Sequence, residues 1–449
     1  MYVAPAPTIG EMLGKLRPER AIEILSSARD PREDEYPHWD KIRQLEPPPG
    51  LSDLEWWWAI KLRRRFNLRP IPRMKSTTDQ PFEYAMTDVV ARSLRYVDQH
   101  CSGEVAMEEV VTADEQARHR YLVNSLMEEA IRSSQLEGAV TSRGVAKEML
   151  ASGRDATDRS ERMILNNYRA LQYMREMGQA LTPAVVLELQ RILTDGTLDN
   201  PDAAGRLQRP DEERIAVLDR TDGTVIHTPP PAEQLPARLA AMCDFANEDV
   251  EAGPFMHPVV RAIVLHLWLA YDHPFEDGNG RTARALFYWY MRTHGYWLVE
   301  YLSISKILRE APSKYTRAYL LTETDGFDAT YFIHYQLDVI ERAVEQLRVY
   351  LQSKVREVKS VERVLRGGRQ FNHRQLALLS DALRSPDTAY TFAAHAKSNG
   401  VTHETARNDL LPLVDLGLLD RTRRGRRFLF TASPDLSGRL EKIGANEGG

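Results

Sequence analysis

Apolar residues recur at helical spacing along most of the chain. From Arg118 onward, Leu122, Leu126, Ile131 and Leu136 fall near one helix face, and Gly138 follows as a natural terminator. A second helix is expected over 158–177, with Met163, Ile164, Tyr168, Leu171 and Met174 on one stripe. A third starts at Thr182-Pro183, where proline is tolerated in the first turn. The same period returns at 234–247, at 257–271 with Val260, Val264, Leu267 and Tyr271 inward, at 281–293, and onward to residue 351. Earlier, Ser52 with Glu55 three residues on reads as a capping box ahead of Trp56, Trp57 and Trp58. Those three rings cannot share one helix face, so at least one should pack against another part of the protein.

Two stretches break the pattern. Residues 205–231 alternate instead: Arg214–Asp219 and Thr224–Thr228 flank Asp222-Gly223, a strong hairpin signal, and Pro229, Pro230 and Pro231 end the second strand. Residues 355–370, ending in Arg366-Gly-Gly-Arg, read as a linker. Beyond it come three short helices, Arg374–Leu383, Thr391–Asn399 and a Thr402-capped His403–Leu416 interrupted by Pro412, then a Gly-centred, Arg-rich ribbon at 421–431. The fold class is therefore all-α with one small hairpin, followed by a unit ordered like a winged helix-turn-helix.

Composition narrows the class. A chain of 449 residues with 43% hydrophobic and 27% charged positions is an ordinary globular balance, long enough for two to four domains. Two cysteines, Cys101 and Cys243, exclude a disulfide scaffold or a Cys-rich zinc module and fit a reducing compartment. No signal peptide or membrane span is read, so the expected location is cytoplasmic. The net charge of −5 is uneven: residues 351–449 hold 17 Lys/Arg against 11 Asp/Glu, and the rest is acidic. A mildly basic C-terminal piece on an acidic body suggests different partners for the two parts.

Candidate chemistry concentrates at His273-Pro-Phe-Glu-Asp-Gly-Asn-Gly-Arg-Thr-Ala-Arg284, between two expected helices. Gly278, Asn279 and Gly280 can turn successive N–H groups into an anion nest opening a helix, whose dipole also favours phosphate. Arg281 and Arg284, at i and i+3, should project from one face of the first turn. Asp277 is a hard oxygen ligand suited to Mg2+ shared with substrate phosphates. His273 can serve as a general base, with activity expected to fall at acid pH. Phe275 anchors the loop.

This run matches every specified position of HPFx(D/E)GNGRxxR, and here the sequence resembles the Fic family. The resemblance implies a helical core that transfers AMP from ATP to a protein hydroxyl, on a target or on itself, releasing pyrophosphate. His273 would deprotonate the attacking Ser, Thr or Tyr. Asp277 would hold Mg2+ against the α- and β-phosphates. Gly278, Asn279 and Gly280 would cradle those phosphates, while Arg281 and Arg284 would bind the β- and γ-phosphates. The hairpin at 214–228 resembles the family's flap, where Ile215, Ala216, Val217 and Leu218 would take an extended target segment as an added strand. Upstream, Ser133-Ser-Gln-Leu-Glu-Gly138 fits the family's (S/T)xxxE(G/N) inhibitory motif. It implies that Glu137, with Ser133 and Gly138 around it, pairs with Arg284 and displaces the γ-phosphate. Relatives of this class often dimerise, so a homodimer is an expectation.

The implied organisation is an N-terminal helical accessory region over 1–117 and a Fic domain over 118–350. Its inhibitory helix lies at 118–138, its flap at 214–228 and its motif at 273–284. A linker over 351–371, a winged helix over 372–435 and a tail over 436–449 follow. In the winged helix, His403, Arg407, Arg423, Arg424, Arg426 and Arg427 are candidate DNA contacts, against which Glu404, Asp409 and Asp415 count on the same recognition helix. Two other readings stay open. One is a Fic enzyme that uses another nucleotide donor or removes AMP from a target. The other is a DNA-binding regulator whose quiescent site senses ATP.

Overall fold

The computed structural model describes residues 2–14, 17–26, 29–102, 115–178, 180–218, 223, 225–249, 253–367, 371–384, 388–424 and 427–446. The chain divides into two compact units, residues 1–106 with 122–345 and residues 107–121 with 346–449.

In the first unit, short helical turns at Ile9–Leu13, Pro18–Ser26 and Trp39–Ile42 precede α1 (Asp53–Arg65). Ser52 accepts from the Glu55 N–H while Glu55 returns the bond, the capping box read from the sequence. Trp56, Trp57 and Trp58 are all buried, in one cluster with Ile24, Ile42 and Ile60. Successive residues on a helix point about 100° apart, so burying all three rings requires cover on more than one side, which the preceding turns provide. The indole N–H of Trp57 donates to the Pro7 carbonyl (3.2 Å) and that of Trp56 to Glu33 (3.2 Å).

The sequence predicts a helical N-terminal region, and the structure corrects this: two strands lie within it. Strands β1 (Leu68–Lys75) and β2 (Pro81–Ala85) form an antiparallel hairpin with a register shift between Pro70 and Lys75. Pro70 and Pro72 deny a helix its hydrogen bonds and leave extended backbone. Nor does this region stand apart: the Ala329 N–H donates to the Glu83 carbonyl (2.7 Å), and the Arg64 guanidinium donates to the Tyr331 hydroxyl (2.9 Å).

The chain continues through α2 (Asp88–Cys101), α3 (Glu115–Leu136), α4 (Arg143–Ser152), α5 (Arg159–Glu176) and α6 (Pro183–Thr194). The flap pairs β3 (Val217–Leu218) with β4 (Val225–His227), with Val217 opposite His227. Ile215 and Ala216 precede the paired residues, and the expected turn at 219–222 lies outside the described residues. Next come α7 (Leu235–Asn247), α8 (Pro258–Asp272), α9 (Asn279–Thr293), α10 (Ile304–Glu310), α11 (Pro312–Thr324) and α12 (Thr330–Gly367). Helices α8 and α9 form the centre. Every residue from Val259 to Leu269 is buried, as is every residue from Arg281 to Met291. Helices buried on all sides lie inside a core, here with Arg261, His266, Arg281 and Arg284 among the apolar side chains, and the loop joining the two is held by their packing.

The segment expected to be a linker is the C-terminal part of α12, which runs helical to Gly367. The second unit then orders α13 (His373–Arg384), α14 (Phe392–Asn399), α15 (His403–Asp415), the antiparallel pair β5 (Leu419–Arg424) and β6 (Arg427–Ala432), and α16 (Leu436–Asn446). Tyr390 bridges to Phe430 beside β6. Leu378, Leu379, Leu410, Leu413, Phe430 and Leu440 are among its core. Residues 436–446, read as a tail, are instead a helix that buries Leu436 and Leu440: the Leu436…Leu440 spacing is one helical turn, too short for sequence periodicity to separate from chance. Among the described residues no helix is long and apolar enough to cross a membrane.

Candidate active site

The site is built where α8 stops and α9 starts. His273 is the C-terminal cap of α8, with φ 41° and ψ 54°, and its N–H donates to the Leu269 carbonyl. A non-glycine residue in this left-handed region costs on the order of 1–3 kcal/mol and persists only where its surroundings impose it. Here they do. The Arg214 guanidinium donates to the carbonyls of both Asp272 (2.9 Å) and His273 (3.2 Å). The Asn279 side chain accepts from the Phe275 N–H (2.9 Å), donates to the Phe275 carbonyl (2.8 Å) and lies 3.3 Å from His273 Nδ1. Phe275 is fully buried. Farther along, the Gln190 amide donates to the Asp277 carbonyl (3.1 Å) and the Gln208 N–H to the Pro274 carbonyl (3.0 Å).

Helix α9 begins at Gly278, with φ 87°, where a Cβ would also meet Thr194 Cγ2 at 3.1 Å. Its first-turn N–H groups have no intrahelical acceptor and carry the positive end of the helix dipole. The two arginines of that turn have different surroundings. Arg281 is fully buried, donates to the Leu193 carbonyl (2.9 Å) and pairs with Asp277 Oδ2 (3.0 Å). Asp277 keeps its side chain partly exposed and also accepts from the Gly278 N–H. Arg284 is buried against α3: Nε donates to Ser133 Oγ (2.9 Å), and Nη2 donates to the Ser133 carbonyl (3.2 Å) and to Glu137 Oε1 (2.8 Å). Its Nη1 finds no acceptor among the described residues. Burial works against the charged guanidinium, yet neighbouring Glu137 holds its pKa above the ordinary value.

Glu137 immediately follows the last residue of α3, and Gly138 behind it takes φ 107°. A Cβ on Gly280 would fall 2.1 Å from Glu137 Oε1 and 3.0 Å from Arg284 Nη1. Glycine at 280 therefore lets a carboxylate approach the start of α9. The structure thus brings Ser133, Glu137, Gly280 and Arg284 into one cluster, and His273, Asn279 and Gly278 into an adjoining one.

Beside both lies a cavity of about 160 Å3, lined by Glu137, His273, the flap residues Val217, Ile226 and His227, and Tyr315 and Tyr319 of α11. Burial, with His227 and Arg214 nearby, pushes His273 down to about 4, outweighing Glu137 and Asp277. Its imidazole is neutral at neutral pH, the form a general base requires.

Sequence reasoning did not single out Arg214, His227, Gln190, Tyr315 or Tyr319. Arg214 and His227 lie within the expected hairpin, but nothing local tells which flap side chains turn inward. The aromatics of α11 read as ordinary helix positions.

Part of the chain is similar to known proteins. Residues 180–291 match the Fic/DOC family model. A protein adenylyltransferase Fic of Nematostella vectensis is 29% identical over 162 residues, 35% of this chain and 34% of that protein. A uridine 5'-monophosphate transferase of Xanthomonas campestris pv. campestris is 28% identical over 123 residues, 27% of this chain and 22% of that protein. The chain thus spans about a third or less of the length of these relatives. Among solved structures, a Fic family protein from Desulfovibrio desulfuricans shares the fold, with a TM-score of 0.52 and 19% identity over 78% of this chain and 97% of that one. The stretch that matches the Fic/DOC family model, residues 180–291, contains this loop and nearly all of the two buried helices it joins, so this part of the chain is similar to that family.

Proposed function

We propose that the first unit is an autoinhibited protein adenylyltransferase, which moves AMP from ATP to a Ser, Thr or Tyr hydroxyl of a protein. One observation carries the reading: an imidazole fixed at the end of α8 stands next to the N-terminus of α9 and beside an aromatic-lined cavity. In the step, the hydroxyl oxygen bonds to the α-phosphorus while the bond to the bridging oxygen of pyrophosphate breaks. The hydroxyl proton passes to the imidazole nitrogen that lacks one, and pyrophosphate leaves with the electron pair. The nest at Gly278, Asn279 and Gly280, the α9 dipole, Arg281 and Arg284 stabilise the phosphate charge. Arg284 serves in this way only when it leaves Glu137.

Mg2+ fits the donor set. Asp277 offers a partly exposed carboxylate, and Mg2+ is usually held by one or two carboxylates completed by water and substrate phosphates. No cluster of three or more His, Cys, Asp or Glu able to hold a metal occurs among the described residues, consistent with a metal brought in with its nucleotide. Bound there, the ion would neutralise phosphate charge.

Glu137 is the brake. Its carboxylate holds Arg284 and stands over Gly280, where it competes with the γ-phosphate for the same cation and the same helix end. A target segment would pair with the flap edge at Ile215, Ala216, Val217 and Leu218. A second reading, with another nucleotide as donor, draws support from the uridine 5'-monophosphate transferase among the relatives.

For the second unit we propose a winged helix that binds DNA. Asp409, which on sequence counted against this, turns inward: it is buried and bonded to Asn372, Arg374 and His395, leaving His403, Glu404, Arg407 and Asn408 exposed on α15. Arg423 is exposed on β5; Arg424 and Arg427 lie in the paired strands, and Arg426 is outside the described residues. A homodimer and a cytoplasmic location complete the reading.

The test is transfer of label from [α-32P]ATP, with [α-32P]UTP in parallel, by the wild type, Glu137→Gly and Glu137→Gly/His273→Ala, with Mg2+ and lysate. Label from ATP that rises in the single variant and vanishes in the double one supports the reading. Label from UTP alone transfers it to the second donor, and label from neither in a variant that still binds ATP overturns it.

A further inference from the structure

His227 is the residue of the flap with the most to explain. It sits on β4, buried, with both ring nitrogens facing acceptors: Nε2 lies 2.7 Å from the Tyr271 carbonyl and Nδ1 2.8 Å from Glu323 Oε2. A carbonyl and an ionised carboxylate can only accept, so both contacts are hydrogen bonds only if both nitrogens carry protons. The Tyr271 carbonyl belongs to the last turn of α8, whose carbonyls lack intrahelical donors and carry the negative end of the dipole. Arg214 meets the next two carbonyls, Asp272 and His273. Two flap cations therefore cap the same helix end from which His273 projects.

We propose that His227, held as an imidazolium between Tyr271 and Glu323, is a positioning residue that fastens β4 over the cavity and keeps His273 in its neutral form. The second part rests on the catalytic reading of His273 given above; the first does not. Among the described residues β3 and β4 pair at two positions, Val217 with His227 and Leu218 with Val225, and the His227 contacts tie that pair to α8 and α11. The charged groups facing His227 agree with the assignment. Glu323 of α11 and Asp272 of α8 favour its charged form, burial opposes it, and its pKa stands raised overall. Asp272 is itself paired with Arg238 of α7 (2.7 Å), and Arg238 also lies over the Tyr271 ring. A positive His227 in turn disfavours a second charge on His273, whose pKa it lowers. Because the raised pKa belongs to the folded state, the clasp is complete below the ordinary histidine value and is lost as pH rises through the raised one.

The experiment follows the imidazoles directly, in full-length protein labelled with 13C-histidine, and does not depend on any transfer activity. In the wild type His227 is expected to titrate above the ordinary 6.5 and His273 near 4. A His227 neutral at pH 6 overturns the proposal without any variant. In His227→Gln, amide exchange at Val225 and Ile226 should accelerate, and the His273 midpoint should move up from about 4 toward 6.5. His227→Lys, which keeps a positive charge and N–H donors, should hold the midpoint down. An unchanged His273 midpoint in folded His227→Gln ends the electrostatic role, and unchanged exchange ends the fastening role. If these shifts appear while Glu137→Gly transfers no nucleotide, the clasp stands and the catalytic reading falls.

Discussion

Each unit buries an ion pair behind the first or second turn of a helix, and the two pairs are finished differently. In the second unit Asp409 on α15 accepts from Asn372 (2.8 Å), Arg374 (2.7 Å) and His395 (3.0 Å), while Gln375 donates to its carbonyl (2.9 Å). Burial pushes the carboxyl up, but these donors outweigh it and hold it at about 2. In the first unit Arg284 on α9 has one carboxylate partner, Glu137, which is itself partly exposed, and its Nη1 has no acceptor among the described residues. A buried polar group without a partner costs about 1–3 kcal/mol. The satisfied pair is scaffold; the unfinished one is where the proposed nucleotide would bind.

The widest separation between the two clusters should appear when one member is removed. In the Glu137→Gly background, His273→Ala should lower AMP transfer by a factor of about 10²–10⁴, the usual contribution of a general base, with no change in melting of the second unit. The pH profile sharpens this. With burial holding His273 near 4, the acid limb should fall around that value, and the rate should stay flat between pH 5 and 8 as far as this group is concerned. Sequence alone suggested a fall starting nearer the ordinary value. A limb at about 6.5 in the transfer rate would show that the imidazole is solvated.

Asp409→Ala should do the opposite: leave transfer untouched and destabilise the second unit by about 1–3 kcal/mol, since it leaves buried His395 without its carboxylate partner and partly exposed Arg374 unpaired. Amide exchange at Leu410 and Leu413 reads this out. Since the folded pKa of Asp409 is depressed, its stabilisation is full above the ordinary 3.8 and is lost as pH falls through about 2.

The contrast also explains what could be read from sequence. The 273–284 run was legible because its function needs residue types that are rarely adjacent, and α8 and α9 were legible because they are apolar over many turns. The order of α13, α14, α15 and the β5–β6 hairpin followed from caps and turns: Thr402 does accept from the Thr405 N–H, and Gly400 does take a left-handed φ of 63°. What stayed hidden depends on tertiary neighbours. Nothing in the sequence says that Asp409 faces inward while Arg407 does not, that α12 continues to Gly367, or that Arg214 and His227 cap α8. The β1–β2 hairpin was missed because its prolines read as punctuation, although proline is compatible with an irregular edge pair.

Removing the other half of the unfinished pair should raise activity. Glu137→Gly frees Arg284 and clears the start of α9, and transfer is expected to rise about tenfold or more, the scale of one charge-assisted hydrogen bond of about 1.5–3 kcal/mol. Arg284 stays within the core, so the melting temperature should fall only modestly. An unchanged rate would make Glu137 an ordinary surface carboxylate.

The smallest change tests the same contact from the other side. Gly280→Ala puts a methyl group 2.1 Å from Glu137 Oε1, and φ at this position lies outside the left-handed region, so the substitution meets no backbone strain. The atom in its way is the end of a flexible side chain, which can swing out. The brake should therefore be loosened but not removed, giving a rate above the wild type and below Glu137→Gly. In the Glu137→Gly background that obstacle is gone, and the nearest atom left to the methyl group is Arg284 Nη1 at 3.0 Å. There the same substitution should lower the rate by disturbing the arginine meant for the nucleotide. A change of sign between the two backgrounds, read in one labelling assay, is what a carboxylate resting on Gly280 predicts. The same sign in both would mean that Glu137 does not occupy the helix end in solution.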